Sequence, residues 1–264
     1  MKARQRATRP SPLRRPHREA GQRTGLARAL SKLGHCSRGQ AWTLIKAGRV
    51  RLNDTVVRDA ERRVDLKRDR IEVDGEPVRA DEKVYLMLNK PRGLVTTTND
   101  ERGRETVFAC LEDKKLPRVF PVGRLDKASE GLLLFTNNTA WAARVADPEF
   151  HLKKTYHVQV DCLMDETLAR RIVEGVTVEG DFLAARRVAL LRGGEKNSWL
   201  EIVLDEGKNR HIRRLLAALG INVLRLVRVA IGPLRLGNLA KGDWRSLTDE
   251  EVVALADTSG SGRA

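Results

Sequence analysis

Apolar positions divide the chain into two stretches of different grain. From Gly25 to Val78 they come in short groups. Leu26, Ala29, Leu30 and Leu33 recur at helical spacing, and Gly34 follows as a stop. Ser37 stands at the expected N-cap of a second helix through Ala41, Leu44 and Ile45, which Gly48 ends. Val50-Arg51-Leu52 alternates, Asn53-Asp54 turns, and Thr55-Val56-Val57 returns. Ile71-Glu72-Val73 adds a further strand that turns at Asp74-Gly75. The pattern predicts two short helices and a small sheet.

From Lys83 onward the runs lengthen. Val84 to Leu88 reads as a buried strand that Asn89-Lys90-Pro91 ends, because proline lacks a donor. Val119 to Val122 is extended, and Leu132 to Phe135 is an apolar strand followed by a turn at Asn137-Asn138. Ala140 to Ala146 predicts a short helix. Lys154 to Val160 and Trp199 to Leu204 alternate like strands, and Ile212 to Leu219 is a helix that Gly220 stops. This is a larger α/β unit. The expected domains are a disordered basic tail (1–23), a small unit (24–80), a large unit (83–256) and a C-terminal tail (257–264), with a hinge at Arg79 to Glu82.

Charge sharpens the picture. The 264-residue chain carries a formal net charge of +15. Residues 1–23 hold eight basic side chains and one acidic one, with too little apolar area to offset ordering. A polyanionic partner fits, since neutralised phosphates release counterions. No apolar run reaches eighteen residues, so no membrane partner is expected. Cys36, Cys110 and Cys162 lie far apart without a CxxC, and the five histidines show no HExxH spacing. These features predict a reducing cytoplasmic setting, no disulfide framework and no metal. Neither GxxxxGK[ST] nor GxGxxG occurs, so no cofactor is implied.

Candidate chemistry concentrates at Gly123-Arg124-Leu125-Asp126, between two apolar strands. A carboxylate on a strand-end loop is held by a rigid scaffold and still reaches a substrate. Nearby arginines favour its ionised form. Alone, Arg-Leu-Asp in a loop is usually a structural ion pair or a cap. Gly207-Lys208-Asn209-Arg210 offers amides and cations between a strand and a helix, fit for phosphate.

Two resemblances extend this reading. The segment GLARALSKLGHCSRGQAWTLIKAGRVRLNDTVV resembles the S4 RNA-binding domain. It implies an RNA-backbone surface of Arg28, Lys32, Arg38, Lys46, Arg49 and Arg51, with the helix start at Ser37 adding donors. The segment VFPVGRLDKASEGLLLFTNN resembles the signature of RNA pseudouridine synthases of the small-subunit type, a family that also includes 23S enzymes. LMLNKPRGLVTTTND precedes it, and KKTYHVQV and EGKNRHIRRLLAALG follow, in that family's order. The resemblance implies an α+β architecture, an S4-type domain followed by a synthase domain with a mixed, mainly antiparallel sheet. It implies Asp126 as the essential carboxylate, serving either as a nucleophile at C1′ or as a base at C2′. Arg213 matches the arginine expected to pair with it, with the adjacent Arg214 as the alternative. Tyr156 matches the tyrosine laid against the flipped uracil, Tyr85 being assigned to the core. Arg124 matches an RNA-associated arginine, and Lys208 and Arg210 are assigned to RNA backbone.

The expected partner is ribosomal RNA, 23S favoured over 16S, and the chain is expected to act as a monomer. The rival readings are a non-catalytic ribosome-assembly factor on the same fold and an RNA chaperone using the tail and small unit alone.

Overall fold

The structure, a computed structural model, describes residues 23–98, 100–111, 116–150 and 152–257. The expected tails fall outside these residues except at Arg23 and Asp257. The chain divides into two compact units at Arg79 and Ala80.

The first unit contains β1 (Thr24–Gly25), α1 (Leu26–Lys32), α2 (Arg38–Lys46), β2 (Val50–Leu52), β3 (Thr55–Val56), β4 (Arg63–Val64), β5 (Ile71–Val73) and β6 (Glu76–Pro77). Ser37 starts α2 through a capping box. Its hydroxyl accepts from the Gln40 amide, while the Gln40 side chain accepts from the Ser37 amide at 3.0 Å. Leu26, Leu30, Ala41 and Ile45 of the helices meet Val50, Leu52, Ile71 and Val73 of a four-stranded sheet ordered β3-β2-β5-β6. Asn53 and Asp54 both take positive φ, 48° and 66°, as a two-residue hairpin with right-handed strand twist requires.

The second unit contains β7 (Tyr85–Lys90), β8 (Phe120–Val122), β9 (Glu130–Thr136), α3 (Thr139–Ala146), β10 (Lys154–Val160), α4 (Glu166–Glu174), β11 (Val176–Val178) and β12 (Asp181–Leu183). It continues with β13 (Arg187–Gly193), β14 (Ser198–Leu204), α5 (His211–Ala218), β15 (Val223–Ile231), β16 (Leu234–Arg235), β17 (Trp244–Ser246) and α6 (Asp249–Ala256). The main sheet runs β13-β14-β10-β15-β9-β7-β17. The β9–β15 pairing is parallel and the other strand pairings of this sheet are antiparallel, which is the mixed, mainly antiparallel arrangement expected from the sequence.

Strand β9 is buried along its whole length. Leu133 and Phe135 join one core with Ile212, Leu215 and Leu216 of α5; Leu132 and Leu134 join another with Trp141 and Val145 of α3 and Leu255 of α6. Cover on both faces explains a continuous apolar run in place of alternation. Each fully buried leucine contributes about 1.5–3 kcal/mol.

The edges of β9 are shared unequally. β7 pairs along one edge from Gly131 to Thr136. On the other edge β15 pairs with Glu130 and Gly131, and β8 pairs with Leu134, Phe135 and Thr136. β8 and β15 therefore part company midway along β9, and a cavity opens there. Gly131 lets β15 come close to β9 at the last rung they share. Its φ is 99°, and a Cβ on it would lie 2.2 Å from the Arg228 carbonyl oxygen.

Candidate active site

The loop after β8 carries Arg124 and Asp126, and its backbone is held by the segment after β7 and by a turn of its own. The Thr96 hydroxyl donates to the Leu125 carbonyl at 2.7 Å, and the Gly93 amide donates to the Lys127 carbonyl at 2.8 Å. The Ser129 amide donates back to the Asp126 carbonyl at 2.9 Å, closing a turn. Leu125 is buried in the core beside α5's residues. Its burial turns the flanking Arg124 and Asp126 outward into the cavity, which has a volume of about 230 Å³.

Asp126, Arg124, Tyr156, Arg213, Lys208 and Arg210 all line that one cavity. Tyr156 is buried on β10, where its ring joins the core. Arg124 is exposed at the rim.

The cation nearest Asp126 is not the one expected. Arg210 brings a guanidinium nitrogen to 3.6 Å from the carboxylate. Arg213 instead donates to the Ala128 carbonyl at 3.2 Å and the Val223 carbonyl at 3.4 Å. The reason is local. Arg210 is the N-cap of α5 in a left-handed conformation, φ 48°, which turns it toward the loop. Arg213 lies one turn into the helix, beneath the loop backbone. Burial foremost, with Arg210 and Arg92, lowers the Arg213 pKa, and Asp126 opposes them. Arg214 faces elsewhere, bonding Asp181 at 2.8 Å and the Val178 carbonyl at 2.9 Å. Lys208 is turned onto the protein too, donating to the Phe182 carbonyl and pairing with Glu206, each at 2.9 Å.

Four side chains here escaped the sequence reading. Lys90 is fully buried and donates to the Pro91 and Ser129 carbonyls, each at 2.9 Å. Desolvation drops its pKa to about 8, against the pull of Cys110, Glu130 and Asp126. Lys154, His211 and Arg228 line the cavity itself. A charge set in an otherwise apolar strand run is the signal that marks Lys90 and Arg228. Tyr85, assigned to the core, is half-buried; its hydroxyl accepts from Asn138 at 2.8 Å, and its ring meets Trp141 edge-on.

In the first unit, Arg28, Lys32 and Arg38 line one basic recess with Arg23, Arg63 and Trp42. Lys46 stands 5.3 Å over the Trp42 ring. Arg49 and Arg51 do not join the recess. Arg49 makes a two-pronged ion pair with Asp74 at 2.7 and 2.5 Å, and Arg51 donates to the Asp54 carbonyl. The Ser37 hydroxyl is committed to its own helix cap.

Among the described residues no group of His, Cys, Asp or Glu is arranged to hold a metal ion, and no helix is long and apolar enough to cross a membrane. Cys36, Cys110 and Cys162 form no disulfide among the described residues.

Comparison with known proteins places these features together. The family described as RNA pseudouridylate synthase matches residues 84–218, and the S4 domain matches residues 24–71. An uncharacterized RNA pseudouridine synthase of Aquifex aeolicus is 40% identical over 228 residues, covering 86% of this chain and 91% of the relative. The ribosomal large subunit pseudouridine synthase B of Bacillus subtilis is 36% identical over 238 residues, covering 88% of this chain and 96% of the relative. A crystal structure of a pseudouridylate synthase superposes with a TM-score of 0.61 at 28% identity, covering 88% of this chain and 99% of that one.

Proposed function

The chain belongs to the RNA pseudouridine synthase family, and from that premise we propose that it isomerises a specific uridine of ribosomal RNA, in the 23S molecule, with Asp126 as the catalytic carboxylate. The observation that carries this reading is the meeting of Asp126, Tyr156, Arg124 and Arg213 in one cavity built from separate segments of the chain. The similarity to the Bacillus subtilis large-subunit enzyme supports the 23S assignment.

The chemistry conserves atoms. The C1′–N1 bond breaks, uracil turns, a C5–C1′ bond forms, and the C5 proton leaves while N1 gains one. Asp126 attacks C1′ or removes the C2′ proton. Tyr156 supplies a ring face against the flipped base, and its phenol lies within the same wall. Arg124 at the rim contacts the RNA and takes the space the base leaves. Arg210 and Arg213 keep the carboxylate in a cationic setting, one by charge and the other by fixing the loop. In the first unit, the basic recess around Arg28, Lys32 and Arg38 holds RNA backbone.

The test is a comparison of every uridine in rRNA from cells with and without the protein, by mass spectrometry after carbodiimide treatment, which pseudouridine retains. One 23S position should lose its label without the protein and regain it with the wild type, but not with Asp126→Ala. Restoration by Asp126→Ala would remove the mechanism.

A further inference from the structure

The cavity wall formed by β10 and β15 has an irregularity beside Tyr156. The register passes from Thr155↔Ala230 to Tyr156↔Arg228, so Val229 is left without a partner across the pair. Such bulges re-aim side chains. Lys154 and Tyr156, two residues apart on β10, line the cavity together with Arg228 of β15.

Neither cation here has a counter-ion among the described residues. Arg228 is only 6% exposed; its Nε donates to the Leu132 carbonyl at 2.7 Å, and its Nη2 has no hydrogen-bond partner. A buried donor left unmade costs free energy, more so when charged. Lys154 has no ion pair among the described residues. Burial foremost, then the field of Arg228, lowers its pKa, and Asp205 opposes them. Asp205 is itself engaged by Arg186 at 3.0 Å. Two neighbouring cations facing one cavity call for an anion within it. At neutral pH the anionic group of an RNA strand is its phosphodiester.

We propose that Lys154 and Arg228 form a seat for a backbone phosphate next to the nucleotide that Asp126 acts on. The seat rests on the reading of this cavity as the uridine site. It fixes the strand on the β10–β15 wall while the loop after β8 presents the carboxylate. Lys154 and Arg228 are thus positioning residues for the RNA, distinct from the groups that touch the reacting bonds.

Initial rates of pseudouridine formation on rRNA from cells lacking the protein provide the test, measured from about 50 to 200 mM salt. Lys154→Gln should raise KM about ten-fold at low salt, as expected for one charge-assisted contact, with kcat within about two-fold. It should also flatten the slope of log(kcat/KM) against log salt by about 0.7. Lys154→Arg should restore both. Arg228→Gln should act in the same direction, with its fold checked by thermal unfolding; if it unfolds, the Lys154 pair decides. An unchanged slope and KM in Lys154→Gln would overturn the seat, as would a fall in kcat at constant KM. If the wild type forms no pseudouridine in this rRNA, the parent reading fails, and that result is separable from a variant that alters neither slope nor KM.

Discussion

Arg210 faces the carboxylate of Asp126 at 3.6 Å from a backbone conformation that an arginine seldom adopts. A side chain held at positive φ costs of order 1 kcal/mol or more, so the position trades stability for charge placement. Arg210→Gly should relieve that cost, keeping or raising the unfolding free energy by up to about 1 kcal/mol, while pseudouridine formation falls at least ten-fold. Denaturant unfolding and the rRNA assay read the two effects separately. Equal activity in both proteins would show that the contact does not serve catalysis.

Arg213 should behave in the opposite way. Its two bonds tie α5 to the Ala128 and Val223 carbonyls, so Arg213→Ala leaves acceptors unpaired under the loop. The expected loss is about 1–3 kcal/mol of stability together with activity. Unaltered unfolding in urea would refute a loop-fixing role.

Gly131 leaves no room for a side chain where β9 meets β15. Gly131→Ala places a methyl group against the Arg228 carbonyl and forces an unfavourable φ. We expect a loss of about 3 kcal/mol or more, seen as a lower urea midpoint. A midpoint within error of the wild type would mean that β9 and β15 separate easily.

Lys90 sets a pH signature in the alkaline range. Its folded pKa, about 8, lies below the ordinary 10.5, so between these values the unfolded chain binds the extra proton. Stability contributed through this group therefore rises with pH across about 8 to 10.5, by roughly 1–3 kcal/mol, and its burial cost is fully present below pH 8. Lys90→Met should lack this rise. Parallel stability profiles for the two proteins would place the ammonium in a wetter setting than the structure shows.

Glu130 sets one in acid. It is 3% exposed and accepts from Arg225 at 2.8 Å and from Lys241 at 2.7 Å. Burial works against its ionised form, but the bonds from Arg225 and Lys241 outweigh it and hold its pKa below the ordinary carboxylate value. That contribution is complete above the unfolded pKa and is lost as pH falls through the folded one. Glu130→Gln should cost about 3 kcal/mol at pH 7 and flatten the acid limb of the stability profile. A neutral substitution would show that the two cations find water as readily as the carboxylate.

Several elements were legible because one physical signal dominated each. Strand β10 alternates cleanly, so both its ends were read from Lys154 and Val160. Ser37 and Gly48 framed α2 through capping chemistry. Other elements carried weaker signals. α4 buries Ile172 alone in a mostly polar stretch, and β13 is exposed over most of its length. β15 was missed because Arg225 and Arg228 interrupt an apolar run, one pairing with Glu130 and the other buried on a carbonyl. At the site, motif order brought Asp126, Tyr156 and Arg213 to one place. It did not foresee that Arg210 would take the carboxylate, since this depends on a single left-handed residue.

Two strands taking turns along one side of β9 make the aperture a quantity of main-chain register. Adding a rung to either ladder would narrow the gap by a residue's length, whatever side chains lined it. Rim residues can then change at little risk to the depth of the opening, because that depth is set by main-chain hydrogen bonds away from the rim.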